Sequence, residues 1–108
     1  MEMVIKQYAV HWIDLDPTVG SEISKTRPCV IISPDQMNKY LGTVIIAPLT
    51  HTIKPFPSRV ICEIKGNKGS IVLDQIRTVD KTRLGNTLGQ LNSSEIADVK
   101  NVLNQMLC

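Results

Sequence analysis

Polar side chains interrupt the apolar pattern of this sequence at two predicted strand ends. Arg27 stands where a polar loop meets the apolar run 29–32, and Thr50 closes the apolar run 43–50. Because strand ends of a small antiparallel sheet can meet at one rim, these two side chains are candidates for one site. A guanidinium fork beside a hydroxyl group is suited to binding a phosphate and stabilising the charge of a phosphorane. The pair therefore predicts phosphoryl-transfer chemistry.

Such chemistry also needs a group that accepts a proton, and arginine stays protonated in proteins. Glu22, in the loop before Arg27, and Asp74, in a later apolar run, are the candidate bases. Three further polar residues are candidates for the same rim: Ser21, Gln75 and Arg77.

A purely structural interpretation of the same residues stays open at this point. Arg27 can pair with Glu22 on the surface, which contributes little stability. Thr50 can hydrogen-bond its own backbone at the strand end. Asp74 and Gln75 can satisfy loop amides. Residue types alone do not decide between these interpretations.

Other catalytic chemistries find little support. The sequence has no glycine-rich phosphate loop, and its two histidines, His11 and His51, lack supporting spacing. His11 is expected on a strand surface. The three cysteines have no C-x-x-C spacing, so Cys29 and Cys62 are predicted to be reduced core thiols. We expect no metal site and no cofactor.

Composition limits the class of protein. The 108 residues suffice for one domain, 1–108, and with 4% aromatic residues the core must be aliphatic. A net charge of +2 is too small to indicate nucleic-acid binding alone, so any such site must be a local patch. No signal peptide is recognisable, and no apolar run approaches the ~18 residues of a membrane span. The expected location is the cytoplasm, without membrane association.

Apolar runs bounded by turn residues predict an antiparallel β protein. The clean alternation of 58–64 and the Lys-Gly-Asn-Lys-Gly stretch after it predict a hairpin. Asp35 is expected to cap a short helical turn over 36–41, and 80–85 is expected to form one helical turn closed by Gly85. The predicted strands are 8–15, 28–33, 43–50, 58–64 and 70–79.

The last element is predicted to be an amphipathic helix. Asn92 can cap it, with Glu95 as the reciprocal partner and Leu91 and Ile96 at the staple positions. One stripe at helical spacing should lie on the sheet; it comprises Ile96, Val99, Val102, Leu103, Met106 and Leu107. The predicted fold class is mainly β, a small antiparallel barrel with a C-terminal helix.

Four segments in order carry a resemblance to a known family. They read WIDLDPTVGSE, TRPCVIISPD, VIIAPLT and LDQIRTVDKTRL. In this order and with these gaps, the chain resembles the MazF/PemK family of type II toxin–antitoxin endoribonucleases through residues 10–91.

The resemblance implies an SH3-like β-barrel with a C-terminal helix that forms a homodimer. It implies metal-independent, sequence-specific cleavage of single-stranded RNA, including mRNA. The 2′-hydroxyl would attack the adjacent phosphorus, which leaves a 2′,3′-cyclic phosphate and a 5′-hydroxyl end and so inhibits translation and growth. The family's catalytic arginine and threonine correspond to Arg27 and Thr50.

The remaining family positions correspond to residues with less defined roles. Ser21 and Glu22 of the Gly-Ser-Glu loop, with Asp74 and Gln75, would contact RNA or handle protons. From residue type rather than from the resemblance, Arg77 is a candidate for contacting the RNA backbone, and Phe56 can either stack on a base or pack on the rim. The resemblance also implies a cognate antitoxin, for which we expect a disordered acidic tail.

Two other functions remain as alternatives. One is a non-enzymatic toxin that binds a protein target such as DNA gyrase through its C-terminal helix. The chain ends in Asn-Gln-Met-Leu-Cys without an aromatic residue, which disfavours this reading. The other is a catalytically silent barrel that only binds RNA.

Overall fold

The computed structural model of the chain describes residues 4–108. Two 3₁₀ turns, at Leu73–Gln75 and Lys81–Arg83, complete the regular structure. The strands and helices are β1 (Ala9–Asp14), β2 (Thr26–Ile31), α1 (Asp35–Tyr40), β3 (Thr43–Thr50), β4 (Arg59–Ile64), β5 (Asn67–Val72), β6 (Arg77–Asp80), β7 (Leu84–Gln90) and α2 (Ser93–Leu107).

The strands form one curled antiparallel sheet in the order β4-β5-β3-β2-β1-β7, and β6 pairs with β3 beside this path. Strand β3 has two partners on the same side. Its first half, Thr43 to Ile46, pairs with β6, and its last residues, Leu49 and Thr50, pair with β5. The outermost strands β4 and β7 contact each other, so the sheet curls into a half-barrel.

The core is aliphatic, as the composition predicts, and lies on both faces of the sheet. One cluster packs beneath α2 and β4 and includes Val10, Val30, Ala47, Leu49, Val60, Ile71, Leu73 and Val99. The second lies between β1, β2, β3 and β6 and comprises Ile13, Leu15, Cys29, Ile31, Val44, Ile46 and Val79. Adjacent residues of β2 and β3 thus enter different clusters, which fixes the register of both strands.

The first, third and fourth strand predictions agree with the structure to within two residues at each end. The hairpin prediction is also confirmed, because Ile64 pairs with Asn67 across a two-residue turn at Lys65–Gly66. Both turn residues have positive φ, 51° and 80°, as the tight hairpin requires. The second strand begins two residues earlier than predicted, at Thr26.

The prediction of one strand over 70–79 is wrong. The backbone turns at Leu73–Gln75, so Asp74 and Gln75 lie on a 3₁₀ turn between β5 and β6. Leu73 is fully buried, and its N–H donates to the Ser58 carbonyl oxygen at 3.2 Å. The turn lets one apolar run supply two strands that pair with different parts of β3.

Strand β7 was not predicted. The single helical turn expected over 80–85 is confirmed only at Lys81–Arg83, and Gly85 belongs to β7 instead of closing a helix. A Cβ atom at Gly85 would lie 3.2 Å from the Trp12 carbonyl oxygen. Glycine therefore allows β7 to approach β1, although it weakens the sequence signal of a strand.

Two local predictions are wrong because distant backbone groups bind the side chains. His11 is buried, not on the surface; its Nδ1 lies 3.1 Å from the Gly85 carbonyl oxygen. Asp35 does not cap α1. It is the first helical residue, and its Oδ1 accepts from the N–H of Gln7 at 2.7 Å.

Helix α2 begins as predicted. Asn92 Oδ1 accepts from the N–H of Glu95 at 2.8 Å, and Glu95 Oε1 accepts from the N–H of Asn92 at 2.9 Å. Glu95 Oε2 also accepts from the N–H of Glu63 at 2.8 Å, which joins the helix to the edge strand β4. The apolar stripe contacts the sheet through its first two turns and beyond, but Met106 and Leu107 are exposed.

Within residues 4–108, neither helix is long and apolar enough to cross a membrane. Cys29 and Cys62 are buried free thiols, as predicted, and Cys108 is an exposed one.

We predict that Glu95→Ala lowers the free energy of unfolding by about 1–3 kcal/mol, because two backbone N–H groups lose a charged acceptor. Urea denaturation followed by circular dichroism measures the change. Asp98→Ala, which removes an exposed carboxylate from the same helix, is the control. Equal stability of the two variants would contradict the role assigned to Glu95.

Candidate active site

The candidate site lies where the pairing of β3 with β2 ends. The last pair of that ladder joins Cys29 and Pro48. The next β2 residue is Pro28, which has no N–H to donate, so the ladder cannot continue there in the usual way. Leu49 and Thr50 pair only with β5, on the opposite edge of β3. The unpaired ends of β2 and β3 both line an open cleft.

Arg27 and Thr50 face each other across this opening. Two residues beyond the last β2–β3 pair, the antiparallel register places Arg27 opposite Thr50. Both residues line one open cleft with a volume of about 480 Å³. The structure thus brings together the two residues that the sequence identified as catalytic candidates.

The Arg27 guanidinium is oriented by its own loop. Its Nε donates to the Ser24 carbonyl oxygen at 3.0 Å. The ion pair with Glu22 that a structural interpretation offers does not form; the only ion pair within residues 4–108 joins Arg59 and Asp74. The Glu22 carboxylate instead accepts from the N–H of Val19.

Thr50 is held by backbone contacts on both sides. Its Oγ1 accepts from the N–H of Thr52 at 3.3 Å, which leaves its single O–H available as a donor. Gly69 of β5 packs directly against it, and a Cβ atom there would lie 3.0 Å from the Thr50 carbonyl oxygen. The position of Thr50 therefore depends on a glycine in the neighbouring strand.

The cleft is strongly basic. No carboxylate from residues 4–108 lines it, whereas four side chains that carry a positive charge do: Lys25, Arg27, Lys65 and Lys68. The remaining lining residues include Trp12, which is 41% exposed, together with Leu49, Ile64 and Leu88. A basic groove with an exposed aromatic ring is typical of sites that bind single-stranded nucleic acid.

Cys29, which follows the cleft residue Pro28, is not a nucleophile. Burial raises the pKa of its thiol to about 12, and the nearby Arg77 and Arg27 lower it only in part. Since the thiolate is the reactive form, this cysteine is inert near neutral pH.

Gln75 and Ser21 lie outside the cleft and bind each other. Gln75 Oε1 accepts from the N–H of Ile23 at 2.8 Å, and its Nε2 approaches the Ser21 carbonyl oxygen at 3.4 Å. The amide group of Gln75 therefore anchors the loop that leads to Arg27. Glu22 lies in the same loop and is exposed.

Asp74 and Phe56 form a second cluster outside the cleft. Asp74 Oδ1 accepts from Ser58 Oγ at 2.9 Å and lies 3.5 Å from Arg59 Nε. The Arg59 guanidinium lies 4.9 Å from the centre of the Phe56 ring, which is 48% exposed. This exposed ring remains a candidate surface for stacking.

Arg77 also lies outside the cleft. Its Nη1 donates to the Leu15 carbonyl oxygen at 3.1 Å, so it fastens the end of β1 to β6. RNA contacts by Ser21, Glu22, Phe56, Asp74, Gln75 and Arg77 stay predictions. Among residues 4–108, no three His, Cys, Asp or Glu side chains are grouped as metal ligands.

Sequence reasoning missed several cleft residues. Lys65 and Lys68 flank the tip of the β4–β5 hairpin, and Trp12 lies on β1. The recognisable hairpin turn was a signal that two lysines would project together from one tip. Trp12 lies in the cleft because it pairs with Pro28 of the neighbouring strand, a contact that no local pattern indicates. His51 directly follows Thr50 in the chain.

The fold and the cleft together define a small β-barrel protein with a basic site suited to phosphodiesters. A family model described as PemK-like, MazF-like toxin of type II toxin–antitoxin system matches residues 6–107. A relative named endoribonuclease MazF from Staphylococcus epidermidis is 42% identical over 106 residues, covering 93% of this chain and 88% of the relative.

Solved structures agree with this assignment. MazF from Deinococcus radiodurans superposes with a TM-score of 0.87 at 25% identity, covering 98% of both chains. A mycobacterial endoribonuclease solved in complex with its cognate antitoxin superposes with a TM-score of 0.82 at 23% identity, covering 95% of this chain and 94% of that one.

The chain belongs to the PemK-like, MazF-like family of type II toxin–antitoxin toxins. The predicted family, fold class and endoribonuclease class are confirmed at this level.

We predict that Gly69→Ala lowers kcat/KM for RNA cleavage by about tenfold or more, because the new methyl group displaces the Thr50 backbone. Cleavage of a fluorogenic RNA measures the change. Gly42→Ala, where a Cβ atom meets open space, is the control. If both variants kept wild-type activity, the packing of Gly69 on Thr50 would be irrelevant to the site.

Proposed function

We propose that this protein is a sequence-specific, metal-independent endoribonuclease toxin that cleaves single-stranded RNA, including mRNA. The products are a 2′,3′-cyclic phosphate and a 5′-hydroxyl end. The observation that carries the proposal is the position of Arg27 and Thr50 across one basic cleft. Membership of the toxin family supports it.

The proposed chemistry needs little beyond charge and positioning. When the 2′-oxygen attacks the adjacent phosphorus, negative charge develops on the non-bridging oxygens. The Arg27 guanidinium neutralises that charge as a fixed fork, and the Thr50 hydroxyl donates to one of the same oxygens. Each group is oriented before substrate binds, since Ser24 fixes Arg27 and β5 fixes Thr50.

The shape of the cleft favours single-stranded RNA. Unpaired bases can be splayed apart and stacked on aromatic rings, whereas bases in a duplex cannot. Trp12 offers such a ring inside the cleft. The lysines of the β4–β5 hairpin lie along the same cleft as Lys25 and Arg27, so successive phosphates can be bound from both sides.

A toxin of this kind requires a partner that silences it. The MazF of Deinococcus radiodurans has been solved with MazE, and this chain superposes on that MazF with a TM-score of 0.80 at 22% identity. We therefore propose a cognate antitoxin whose disordered acidic tail folds into the basic cleft.

We also propose a homodimer, which can cover exposed apolar side chains such as Ile61 and Leu107. The proposed location is the cytoplasm.

The two alternative functions predict different results. A toxin that binds gyrase leaves RNA intact, and the absence of an aromatic residue in the last helical turn disfavours it. A silent RNA-binding barrel binds RNA in a salt-dependent way without cutting it.

We predict that the purified wild-type protein cleaves single-stranded RNA in EDTA at discrete positions with 5′-hydroxyl ends. Arg27→Ala and Thr50→Val are each expected to lower kcat about 100-fold or more, because each removes a donor to the developing charge. Mapping of 5′ ends by ligation after kinase treatment measures both the sites and the end chemistry.

Arg27→Lys serves as the matched variant, since it keeps the charge and loses the planar fork. It is expected to bind RNA normally and to remain strongly impaired in cleavage. Intact RNA with the wild-type protein, or equal cutting by Arg27→Ala, would overturn the proposed function.

We predict that Lys65→Ala/Lys68→Ala raises KM with little change in kcat, because these lysines bind backbone phosphates distant from the reacting one. The slope of log affinity against log salt should become shallower by about 1.4, at about 0.7 per lost phosphate contact on a single strand. Fluorescence anisotropy with an uncleavable RNA measures it. The control is Lys39→Ala/Lys100→Ala, which removes the same charge at two positions outside the cleft. An equal decrease of the salt slope in this control would contradict a specific role of Lys65 and Lys68.

A further inference from the structure

The reaction needs a group that accepts the proton of the 2′-hydroxyl, and the two predicted carboxylates are poorly placed to do so. Glu22 accepts from the backbone of Val19, and Asp74 binds Ser58 and Arg59. Neither carboxylate lines the cleft that contains Arg27 and Thr50. The residues that line the cleft are therefore the place to look for a proton acceptor.

Five residues along the cleft have ionisable side chains: Lys25, Arg27, His51, Lys65 and Lys68. Lysine and arginine are protonated at neutral pH and cannot accept a proton. Threonine hydroxyl, asparagine amide and tryptophan N–H groups are not basic. Among residues 4–108, His51 is thus the only side chain along this cleft that can serve as a base near neutral pH.

The backbone places His51 beside Thr50 in the lining of the cleft. It directly follows Thr50, the residue whose pairing with Ser70 ends β3. The hydrogen bond from the N–H of Thr52 to Thr50 Oγ1 closes a tight turn around it. The imidazole is exposed, so a substrate in the cleft can reach it without any movement of the fold. The other histidine, His11, is buried and bonded to β7.

We propose that His51 is the general base of the reaction, an inference that rests on the proposed endoribonuclease function. The imidazole removes the proton of the 2′-hydroxyl, and the freed electron pair forms the new O2′–P bond. The P–O5′ bond breaks, and the leaving 5′-oxygen takes a proton from water. The imidazolium then returns its proton to the hydroxide that remains. No oxidant, metal or further reactant is required.

Four cations line the same cleft and have a different task. Arg27 stabilises the charge of the reacting phosphate, Lys25, Lys65 and Lys68 bind RNA phosphates, and no carboxylate along the cleft competes for them. Proton transfer and charge stabilisation are therefore assigned to different side chains. Sequence reasoning set His51 aside because the two histidines lack a pairwise spacing, but one base needs no histidine partner.

The test uses the full-length wild-type protein, His51→Ala, His51→Gln and, as control, Asn104→Ala on the exposed face of α2. At pH 7 both His51 variants should lose kcat about 100-fold or more, while Asn104→Ala keeps it. The wild-type rate should fall about tenfold per pH unit on the acid side, because a protonated imidazole cannot accept a proton. His51→Ala should lack that break and gain activity steadily as hydroxide replaces the base.

Two further arms separate a base from other roles. Added imidazole should restore part of the His51→Ala rate, which a merely structural role would not allow. An RNA with a 5′-thio leaving group should leave the defect of His51→Ala unchanged, since a thiolate needs no general acid. Restoration by that substrate would assign His51 as the acid and overturn the proposal.

Failure of this inference is distinguishable from failure of the proposed function. If the wild-type protein cuts RNA and both His51 variants cut at the same rate with the same pH profile, His51 is not the base and the nuclease assignment stands. If the wild-type protein cuts no RNA, the proposed function fails and His51 has no such reaction to serve.

Discussion

Strand β3 pairs with β2 only as far as Pro48, because the next β2 residue, Pro28, has no N–H to donate to the ladder. The last residues of β3 keep β5 as a partner on the other edge, and the cleft lies at the unpaired ends of β2 and β3. Arg27 occupies one side of that cleft and Thr50 the other. The curl of the sheet, the position of the hairpin lysines and the exposure of Trp12 all serve the same opening. The early end of the β2–β3 pairing thus provides the opening in which the site lies.

Charges in this molecule are divided between two tasks. The acidic side chains Glu22, Asp74 and Glu95 bind backbone or neighbouring polar groups and hold loops and a helix in place. The cations of the cleft have no acidic neighbour among the residues that line it. A nearly neutral chain can therefore present a strongly basic groove, because its negative charges are used elsewhere. This division also explains why net charge alone gave little indication of nucleic-acid binding.

The sequence was sufficient to predict the elements whose signals are local. The alternation of β4, the hairpin turn and the capping box of α2 each depend on residues close in the chain, and each is confirmed. The order of four motifs identified the family. The break between β5 and β6, the glycine-containing strand β7 and the burial of His11 depend on distant partners, such as the Ser58 and Gly85 carbonyl oxygens. Local propensity cannot report such contacts.

Within the site, too, local signals predict some features, whereas others depend on contacts between distant residues. Arg27 and Thr50 were predicted because each ends a recognisable strand, and the register then places them opposite one another. Gln75 and Arg77 are predicted to bind substrate, and their side chains also hold the end of β1 and the loop after it. A polar side chain can bind protein, substrate or both, and the local sequence does not separate these roles.

The roles of Arg27 and Thr50 are tested most directly by a crystal structure of the protein with a short RNA that carries a 2′-deoxy nucleotide at the cleavage site. The scissile phosphate should lie within about 3 Å of both an Arg27 terminal nitrogen and Thr50 Oγ1. A scissile phosphate bound away from these two side chains, with the cleft empty, would contradict these roles.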